Sequence, residues 1–215
     1  MNYTEFKYLR PPRCGTAFPP MRSEFSRLER LGYKAQIKWN GANSVIFVAP
    51  DRSIDAWTRH GERHKRFRFN DENSKMFRGI PGDKWWVFNG EYLNDKGPSV
   101  KNVHFIHDVL VADGKILIGK SYEWRQSVLD NLFPVSIAGS HTSDHFVLDE
   151  HTWLARNIPD IEFAYNTYKD HPLHEGVVVK NPKGILELKD LTMNGRNAPW
   201  MLKCRHPKSS KNVRF

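Results

Sequence analysis

Turn-linked strand segments dominate this sequence; one helical segment precedes them and two more lie between groups of strands. Alternating or continuous apolar runs bounded by Gly, Pro, Asn and Asp predict strands at residues 34–48, 53–57, 84–93, 102–112, 115–118, 176–180, 184–188 and 200–204. Apolar residues at helical spacing predict helices at 21–31, 121–132 and 161–168. Because these helices do not alternate with single strands as crossovers, the order favours an α+β fold with antiparallel sheets over a doubly wound parallel fold. The second helix is expected to pack through Trp124, Val128, Leu129 and Leu132.

Composition narrows the class of protein further. The 215 residues carry 33 Lys and Arg against 24 Asp and Glu, a formal charge of +9, and 39% of them are hydrophobic, which is enough for a core and excludes disorder. No apolar run approaches the ~20 residues that cross a bilayer, and no secretion signal precedes the first predicted strand. Cys14 and Cys204 form neither a disulfide framework nor a zinc quartet, which indicates a reducing compartment. We therefore expect a cytoplasmic protein without membrane contact, of a size compatible with a phage or viral source, and with a polyanionic partner such as nucleic acid.

A lysine beside a glycine turn is the first candidate for chemistry. In Lys38-Trp-Asn-Gly41 the lysine stands near the end of a predicted strand, where its side chain can enter a cleft between sheets. Desolvation and neighbouring cations activate such an amine as a nucleophile, and glycine allows a ligand to approach the backbone closely. Taken alone, the pattern is a weak signal, and it favours a surface lysine before a turn.

Five further segments follow Lys38 in a fixed order. They are Thr58-Arg-His-Gly61, Asn89-Gly-Glu91, Phe105-Ile-His-Asp108, His174-Glu-Gly-Val-Val-Val-Lys180 and Trp200-Met-Leu-Lys-Cys-Arg205. This ordered set resembles the motifs of the covalent nucleotidyltransferases, which include the ATP-dependent DNA ligases, the RNA ligases and the mRNA capping guanylyltransferases. The resemblance extends over nearly the whole chain, from about residue 9 to 205, and it implies an adenylation domain with antiparallel sheets flanking an ATP cleft and helices outside.

The resemblance also implies a role for each motif residue. Lys38 would be the nucleophile that attacks the α-phosphate of ATP and carries AMP. Lys180 and Lys203 would neutralise that phosphate as charge builds on it, and Arg59 would contact ribose or phosphate. Glu91 and Glu175 would hold Mg²⁺, Glu91 also contacting the ribose. The other expected nucleotide contacts are Gln36, Ile37, Gly41, Asn43 and His107.

Some positions differ from the family pattern. Asn40 stands where DNA ligases usually carry Asp, and Asn43 stands where many of them carry Arg, whereas Asn at that position is similar to one class of RNA ligases. His107 occupies the place of a Phe that stacks on adenine, so that His107 or Phe105 is expected to stack there. Arg205 replaces the second lysine of the last motif and keeps its charge.

The substrate prediction therefore has alternatives. The stretch after residue 108, with Trp124-Arg125, and the Gly195-Arg196 pair resemble DNA ligases, while Leu202-Lys-Cys-Arg205 resembles RNA ligases. DNA nick sealing is favoured, RNA ligation comes second, and capping third because Glu-Gly-Val-Val-Val-Lys is a ligase form of its motif. A nucleic-acid-binding module that has lost its chemistry is the non-enzymatic alternative.

The remaining positive charge is expected to bind a nicked duplex on either side of the nick, DNA being favoured. The candidate contacts are Arg63, Lys65, Arg66, Arg68, Arg205, Lys208 and Lys211. Residues 1–215 are expected to form a single adenylation domain that works as a monomer. Only ten residues follow Arg205, too few for the five-stranded oligonucleotide-binding barrel that usually continues ligases of this family.

Overall fold

The computed structural model describes residue 6 and residues 9–65, 67–94, 100–134, 140–142, 144–171, 173–191 and 197–207, and it has the predicted α+β composition. The strands are β1 (Thr16–Ala17), β2 (Lys34–Trp39), β3 (Ala42–Val48), β4 (Ile54–Trp57), β5 (Trp86–Leu93), β6 (Val103–Ala112), β7 (Lys115–Ile116), β8 (Ser140–His141), β9 (His145–Asp149), β10 (Thr152–Ala155), β11 (His174–Lys180) and β12 (Met201–Arg205). The helices are α1 (Arg22–Arg30), α2 (Lys75–Arg78), α3 (Tyr122–Leu132) and α4 (Ile161–Thr167), with a 3-10 turn at Leu188–Leu191.

The strands form two sheets. The smaller has the order β1-β12-β11-β2, and the larger has the order β4-β3-β5-β6-β10-β9-β8 with β7 paired to β6. Pairing is antiparallel as predicted, except that β1 runs parallel to β12 and β10 runs parallel to β6. Both parallel pairs join segments that are distant in sequence, so no hairpin constrains their direction.

Period-two alternation in β2 decides which side chains enter the space between the sheets. Ala35, Ile37 and Trp39 are buried in a core that includes residues of α1 and α4. Gln36 and Lys38 therefore point to the other face of the strand, toward the larger sheet. A lysine next to two buried apolar positions is thus directed out of the core by strand geometry alone.

Helix α3 packs against β6 and the core through Leu129, Val128 and Leu132, as predicted, but not through Trp124. Its buried residues are Tyr122, Arg125, Gln126 and Leu129, whereas Trp124 is 40% exposed, with the Lys120 Nζ lying 4.8 Å from the centre of its ring. The prediction that Trp124 faces the core is wrong because an arginine one position later takes the buried place.

Two further segments differ from the sequence prediction. Residues 184–188 do not form a strand; one isolated bridge joins Ile185 to Ser121, and the chain continues into the 3-10 turn. The sequence pattern does not predict strands β8, β9 and β10, because the polar residues around them weaken the apolar pattern. Successive pairing of β10 with β6, β9 with β10 and β8 with β9 supplies their hydrogen bonds. None of the helices in the described ranges has the length and apolar character of a membrane-spanning segment.

Candidate active site

A cleft of about 770 Å³ lies between the two sheets. Strands β2, β11 and β12 contribute to its lining from the smaller sheet, and β3, β5 and β6 from the larger, together with the segment at residues 10–14. Its charged lining residues are Arg10, Arg13, Lys38, Arg59, Glu91, Glu175, Lys180, Lys203 and Arg205. Seven of these are cations and two are carboxylates, so the described lining is strongly attractive to an anion such as a polyphosphate.

Lys38 and Glu175 meet inside this cleft. The Lys38 Nζ lies 2.5 Å from the Glu175 Oε2, and the two side chains are 22% and 20% exposed. Arg205 Nη2 approaches the same carboxylate oxygen at 3.5 Å. A carboxylate within hydrogen-bonding distance of the amine can orient it and accept its proton.

A β-bulge places Glu175 at this position. In the pairing of β11 with β2, His174 is opposite Trp39 and Gly176 is opposite Lys38, so the register skips Glu175. Gly176 has a φ of 131°, and a Cβ at this residue would lie 2.0 Å from the carbonyl oxygen of Cys204. The bulge therefore depends on glycine, both for its backbone angle and for its distance from β12.

Lys180 lies at the other end of β11 and is buried. Its Nζ donates to the carbonyl oxygen of His107 at 3.1 Å and lies 4.6 Å from the centre of the Tyr122 ring. Burial lowers the pKa of Lys180 to about 8, partly opposed by Asp108 and assisted by Arg125. Because these two contacts are with a neutral carbonyl and an aromatic ring, the positive charge of Lys180 is available to an anionic ligand.

A second bulge exposes the carbonyl that holds Lys180. In the pairing of β5 with β6, Asn89 is opposite Asp108 and Gly90 is opposite Ile106, so His107 has no opposite residue. Its carbonyl accepts from the Gln126 Nε2 at 3.3 Å as well as from Lys180. Burial, with Lys180 nearby, lowers the pKa of His107 to about 3, which leaves a neutral ring in the cleft lining.

Phe105 also lines the cleft, two residues before His107 on the same strand. Its ring is buried, with its centre 5.9 Å from that of Trp39 in the core behind β2. His107 is the more exposed of the two rings.

Glu91 and Asn43 lie directly opposite each other on β5 and β3, and both line the cleft. The Asn43 Nδ2 donates to the Asn89 Oδ1 at 3.0 Å and to the carbonyl of Gly90 at 3.1 Å. Gly41 lies in the turn before β3, where a Cβ would be 2.5 Å from the carbonyl oxygen of Tyr92. The turn thus brings the backbone close to β5, and Asn43 is already bound to that strand.

Gln36 and Ile37 line the cleft beside Lys38. The Gln36 side chain is buried, and its Nε2 has no hydrogen-bond partner among the described residues. An unsatisfied buried amide costs free energy unless a ligand or water binds it. Gln36 is therefore placed to donate a hydrogen bond to a ligand in the cleft.

Lys203 and the segment at residues 10–14 form another wall. The Lys203 Nζ donates to the carbonyl of Cys14 at 3.4 Å, and burial raises the pKa of the Cys14 thiol to about 11, partly opposed by Lys203, Lys180 and Lys38. Sequence reasoning missed Arg10 and Arg13, whose prolines indicated only an extended turn. The backbone of this segment is held by a hydrogen bond from the Arg10 N–H to the carbonyl of Leu191 at 3.0 Å and by a bridge between Arg13 and Asn197.

The predicted nucleic-acid contacts divide into separate groups. Arg205 lines the cleft. Arg59, a predicted nucleotide contact, also lines it, and its Nε donates to the His60 Nε2 at 3.1 Å in the turn after β4. Arg63, Lys65 and Arg68 are exposed but do not line the cleft.

The position of Phe67 explains why this basic segment lies apart from the cleft. Its ring centre is 4.6 Å from that of Tyr92, which lies on the opposite face of β5 from Glu91 because strand residues alternate. Arg63 is also paired with Asp55. Arg66, Lys208 and Lys211 lie outside the described residues, as does the Gly195-Arg196 pair.

The two cleft carboxylates fit a divalent cation only in part. Glu91 and Glu175 offer hard oxygen ligands on facing sheets, but within the described ranges they do not form a group of three mutually close ligands. Mg²⁺ commonly takes one or two carboxylates and completes its coordination with substrate phosphates and water. The donor set therefore fits a Mg²⁺ ion bound together with a polyphosphate, and not a site made by protein alone.

Comparisons with solved structures identify the fold. With a mycobacterial DNA ligase D in complex with ATP and MES, the TM-score is 0.62 at 18% identity, covering 94% of this chain and 62% of that protein. The ligase domain of LigD from M. tuberculosis gives 0.61 at 18% identity, covering 94% and 61%. The structure reported for Lig E DNA ligases gives 0.56 at 11% identity, covering 92% and 69%.

The chain thus spans about three fifths of the LigD chains that it matches. No protein-family profile matches the sequence, and no curated protein is significantly similar to it. At these identities the likeness is one of fold. The described residues have the fold of the adenylation domains of ATP-dependent ligases, which confirms at that level the resemblance that the ordered motifs indicated.

Proposed function

We propose that the chain is the adenylation domain of an ATP-dependent ligase that seals nicks in duplex DNA as a monomer. The observation that carries this proposal is the Lys38 Nζ at 2.5 Å from the Glu175 Oε2 in a cleft that Lys180 and Lys203 also line. One amine is held against a carboxylate, and two further cations are available for a phosphate. This arrangement suits a nucleophile and the groups that stabilise its reaction.

In the first step Lys38 loses a proton, for which the Glu175 carboxylate is the adjacent acceptor. The lysine nitrogen then forms a bond to the α-phosphorus of ATP, the bond from that phosphorus to the bridging oxygen breaks, and pyrophosphate leaves with the electron pair. Lys180 and Lys203 neutralise the charge that accumulates on the α-phosphate oxygens. In-line attack requires the amine to be fixed, and its pairing with Glu175 across the bulge supplies that orientation.

In the second step the bond between the α-phosphorus and the Lys38 nitrogen is broken again. A 5′-phosphate oxygen of the nicked strand attacks, the bond to the Lys38 nitrogen breaks, and AMP is joined to the strand end. The 3′-hydroxyl then attacks the 5′-phosphate, and AMP leaves. The cations of the cleft lining serve every step, because each one moves charge onto a phosphate.

The nucleotide contacts are assigned from the lining of the cleft. The neutral ring of His107 provides a face on which adenine can stack, and the Gln36 Nε2 can donate to the base edge. Arg59 and Glu91 approach from the larger sheet toward ribose and phosphate. Mg²⁺, held by Glu91 and Glu175 with the phosphates, would withdraw charge from the leaving pyrophosphate.

The choice of DNA is supported by the DNA ligases among the solved structures of similar fold. RNA ligation is the second candidate, and Asn43 favours it. An asparagine at this position resembles one class of RNA ligases, and its amide is bound to Asn89 and Gly90. The Asn43 amide would have to break those hydrogen bonds to contact a ligand, whereas many DNA ligases carry an arginine at this position.

The test is covalent labelling of the chain with α-labelled ATP and Mg²⁺, followed by a chase. We expect a labelled protein whose label is acid-labile, as a phosphoamide bond requires. Lys38→Ala should abolish the label, and Lys34→Ala, which removes an exposed lysine from the same strand, should leave it unchanged. A folded wild-type chain that binds nucleic acid but takes no label would contradict the proposed ligase activity and favour the non-enzymatic binding module.

The chase then assigns the substrate. Discharge of the label by nicked DNA with formation of a sealed strand supports the proposal, whereas discharge by nicked RNA alone would replace it with RNA ligation. Labelling by GTP in preference to ATP, with transfer to a diphosphate-ended RNA, would revive the capping alternative.

A further inference from the structure

We propose that Arg125 is a positioning residue for Lys180: by binding Asp108 in a closed buried pair, it keeps that carboxylate from capturing the Lys180 ammonium, which then stays available to the cleft. The inference deepens the proposed function, on which it rests for the identity of the phosphate that Lys180 binds. Nothing in the ordered motifs assigns a role to this arginine beyond its presence after Trp124.

Arg125 and Asp108 form a buried ion pair that is joined by two hydrogen bonds. The Arg125 Nε donates to the Asp108 Oδ1 at 2.9 Å and its Nη2 donates to the Oδ2 at 3.0 Å. The side chains are 0% and 2% exposed. Both carboxylate oxygens are therefore occupied by one planar guanidinium in the geometry that binds a carboxylate most strongly.

The guanidinium is also fixed from its other sides. Its Nη1 donates to the carbonyl of Lys120 at 2.9 Å, and its Cζ lies 4.9 Å from the Trp200 ring centre and 5.7 Å from that of Tyr122. These rings are stacked with centres 5.8 Å apart. Arg125 cannot turn away from Asp108 without leaving this aromatic contact and a hydrogen bond.

Lys180 shares the same environment but not the same partner. Its Nζ lies over the Tyr122 ring and donates to the carbonyl of His107, one residue before Asp108. Burial lowers the pKa of Lys180, Asp108 raises it, Arg125 lowers it and the Cys14 thiol raises it. The other titratable groups beside it are His107 and the Tyr122 ring. Without Arg125, the nearest uncompensated anion would be Asp108, and a buried ammonium would turn toward it.

The test compares Arg125→Met with Asp108→Asn in the pH dependence of the second-order rate constant for Lys38 adenylation, which reports the ionisation of the free protein. We expect the alkaline limb of the wild-type profile near the Lys180 pKa of about 8. In Arg125→Met this limb should move to higher pH, and the maximal rate should fall by up to roughly 100- to 1,000-fold, the range measured for loss of one electrostatic contact in a transition state. In Asp108→Asn the limb should move to lower pH.

Shifts of the alkaline limb in opposite directions in Arg125→Met and Asp108→Asn distinguish a positioning role from a purely structural one. A residue that only stabilises the fold would lower the active fraction of both variants and leave the limb in place, which would overturn the inference. Arg125→Lys, which keeps the charge but not the bidentate geometry, should retain an intermediate rate with the limb near its wild-type position. If Arg125→Met does not fold, the double variant Asp108→Asn with Arg125→Met removes both buried charges, and its limb should lie below that of the wild type.

A direct titration of Lys180 separates this inference from the proposed function. The ¹³Cε chemical shift of Lys180, assigned with Lys180→Arg, reports its ionisation in the ligand-free chain without any turnover. Displacement of that titration upward in Arg125→Met and downward in Asp108→Asn would uphold the inference even if Lys38 takes no label. Identical titrations in all three proteins would overturn it even if labelling succeeds.

Discussion

Nucleotide binding should draw a proton onto Lys180 at alkaline pH. Its lowered pKa, from 10.5 to about 8, corresponds to roughly 3 kcal/mol of bias toward the neutral amine. A phosphate beside the amine reverses that bias because an adjacent anion favours the charged form. If the bound pKa returns to at least 10.5, the expected uptake is about 0.9 proton per nucleotide at pH 9 and about 0.1 at pH 7.

The assay is isothermal titration of ATP into the Lys38→Ala variant, which keeps the cleft and prevents the covalent step. The slope of the measured enthalpy against the ionisation enthalpy of the buffer gives the number of protons taken up. The phosphates of ATP are fully ionised at pH 9, so they do not contribute. Lys180→Arg in the same background is the matched control, since an arginine stays charged at both pH values.

The reasoning would be refuted by equal proton uptake at pH 7 and pH 9, or by uptake at pH 9 that survives Lys180→Arg. Either result would mean that Lys180 is already charged in the free cleft, or that it does not meet the phosphates.

Two other predictions concern the β-bulge and the basic surface. Gly176→Ala places a Cβ 2.0 Å from the Cys204 carbonyl oxygen at a φ of 131°, and we expect it to lower the free energy of unfolding in urea by about 3 kcal/mol. Gly119→Ala, at a φ of 81° with open space around it, should cost only about 1–2 kcal/mol, and equal losses would contradict the steric argument. Sealing should weaken steeply with salt, and Arg68→Ala should reduce the slope of log affinity for nicked DNA against log salt concentration by about 1 without changing Lys38 labelling. Lys115→Ala, an exposed lysine elsewhere, should leave that slope unchanged, whereas unaltered slopes in both variants would exclude the segment around Arg68 from the interface.

Two bulges shape the reactive half of the site, and neither is visible in the sequence. His107 and Glu175 each lack an opposite residue in the ladder. One bulge exposes a carbonyl for Lys180, and the other turns a carboxylate toward Lys38. A glycine after a glutamate is compatible with a regular strand or with a bulge, and only the pairing with β2 and β12 selects the bulge.

Local sequence information was sufficient for the strands of the motif segments, the face of β2 on which Lys38 lies, and the order in which the motifs enter the cleft. These follow because side chains in a strand alternate between its two faces, and because strands end where Gly and Pro form turns. Tertiary folding was needed to bring together Lys38 and Glu175, which are 137 residues apart in sequence and whose Nζ and Oε2 atoms lie 2.5 Å apart. It also placed Arg125 in the core while Trp124 is exposed, and it let Phe67 carry the basic segment away from the cleft. In each case a distant partner supplied the free energy, whether a carboxylate, a carbonyl or an aromatic ring, and no local pattern records which partner a side chain will meet.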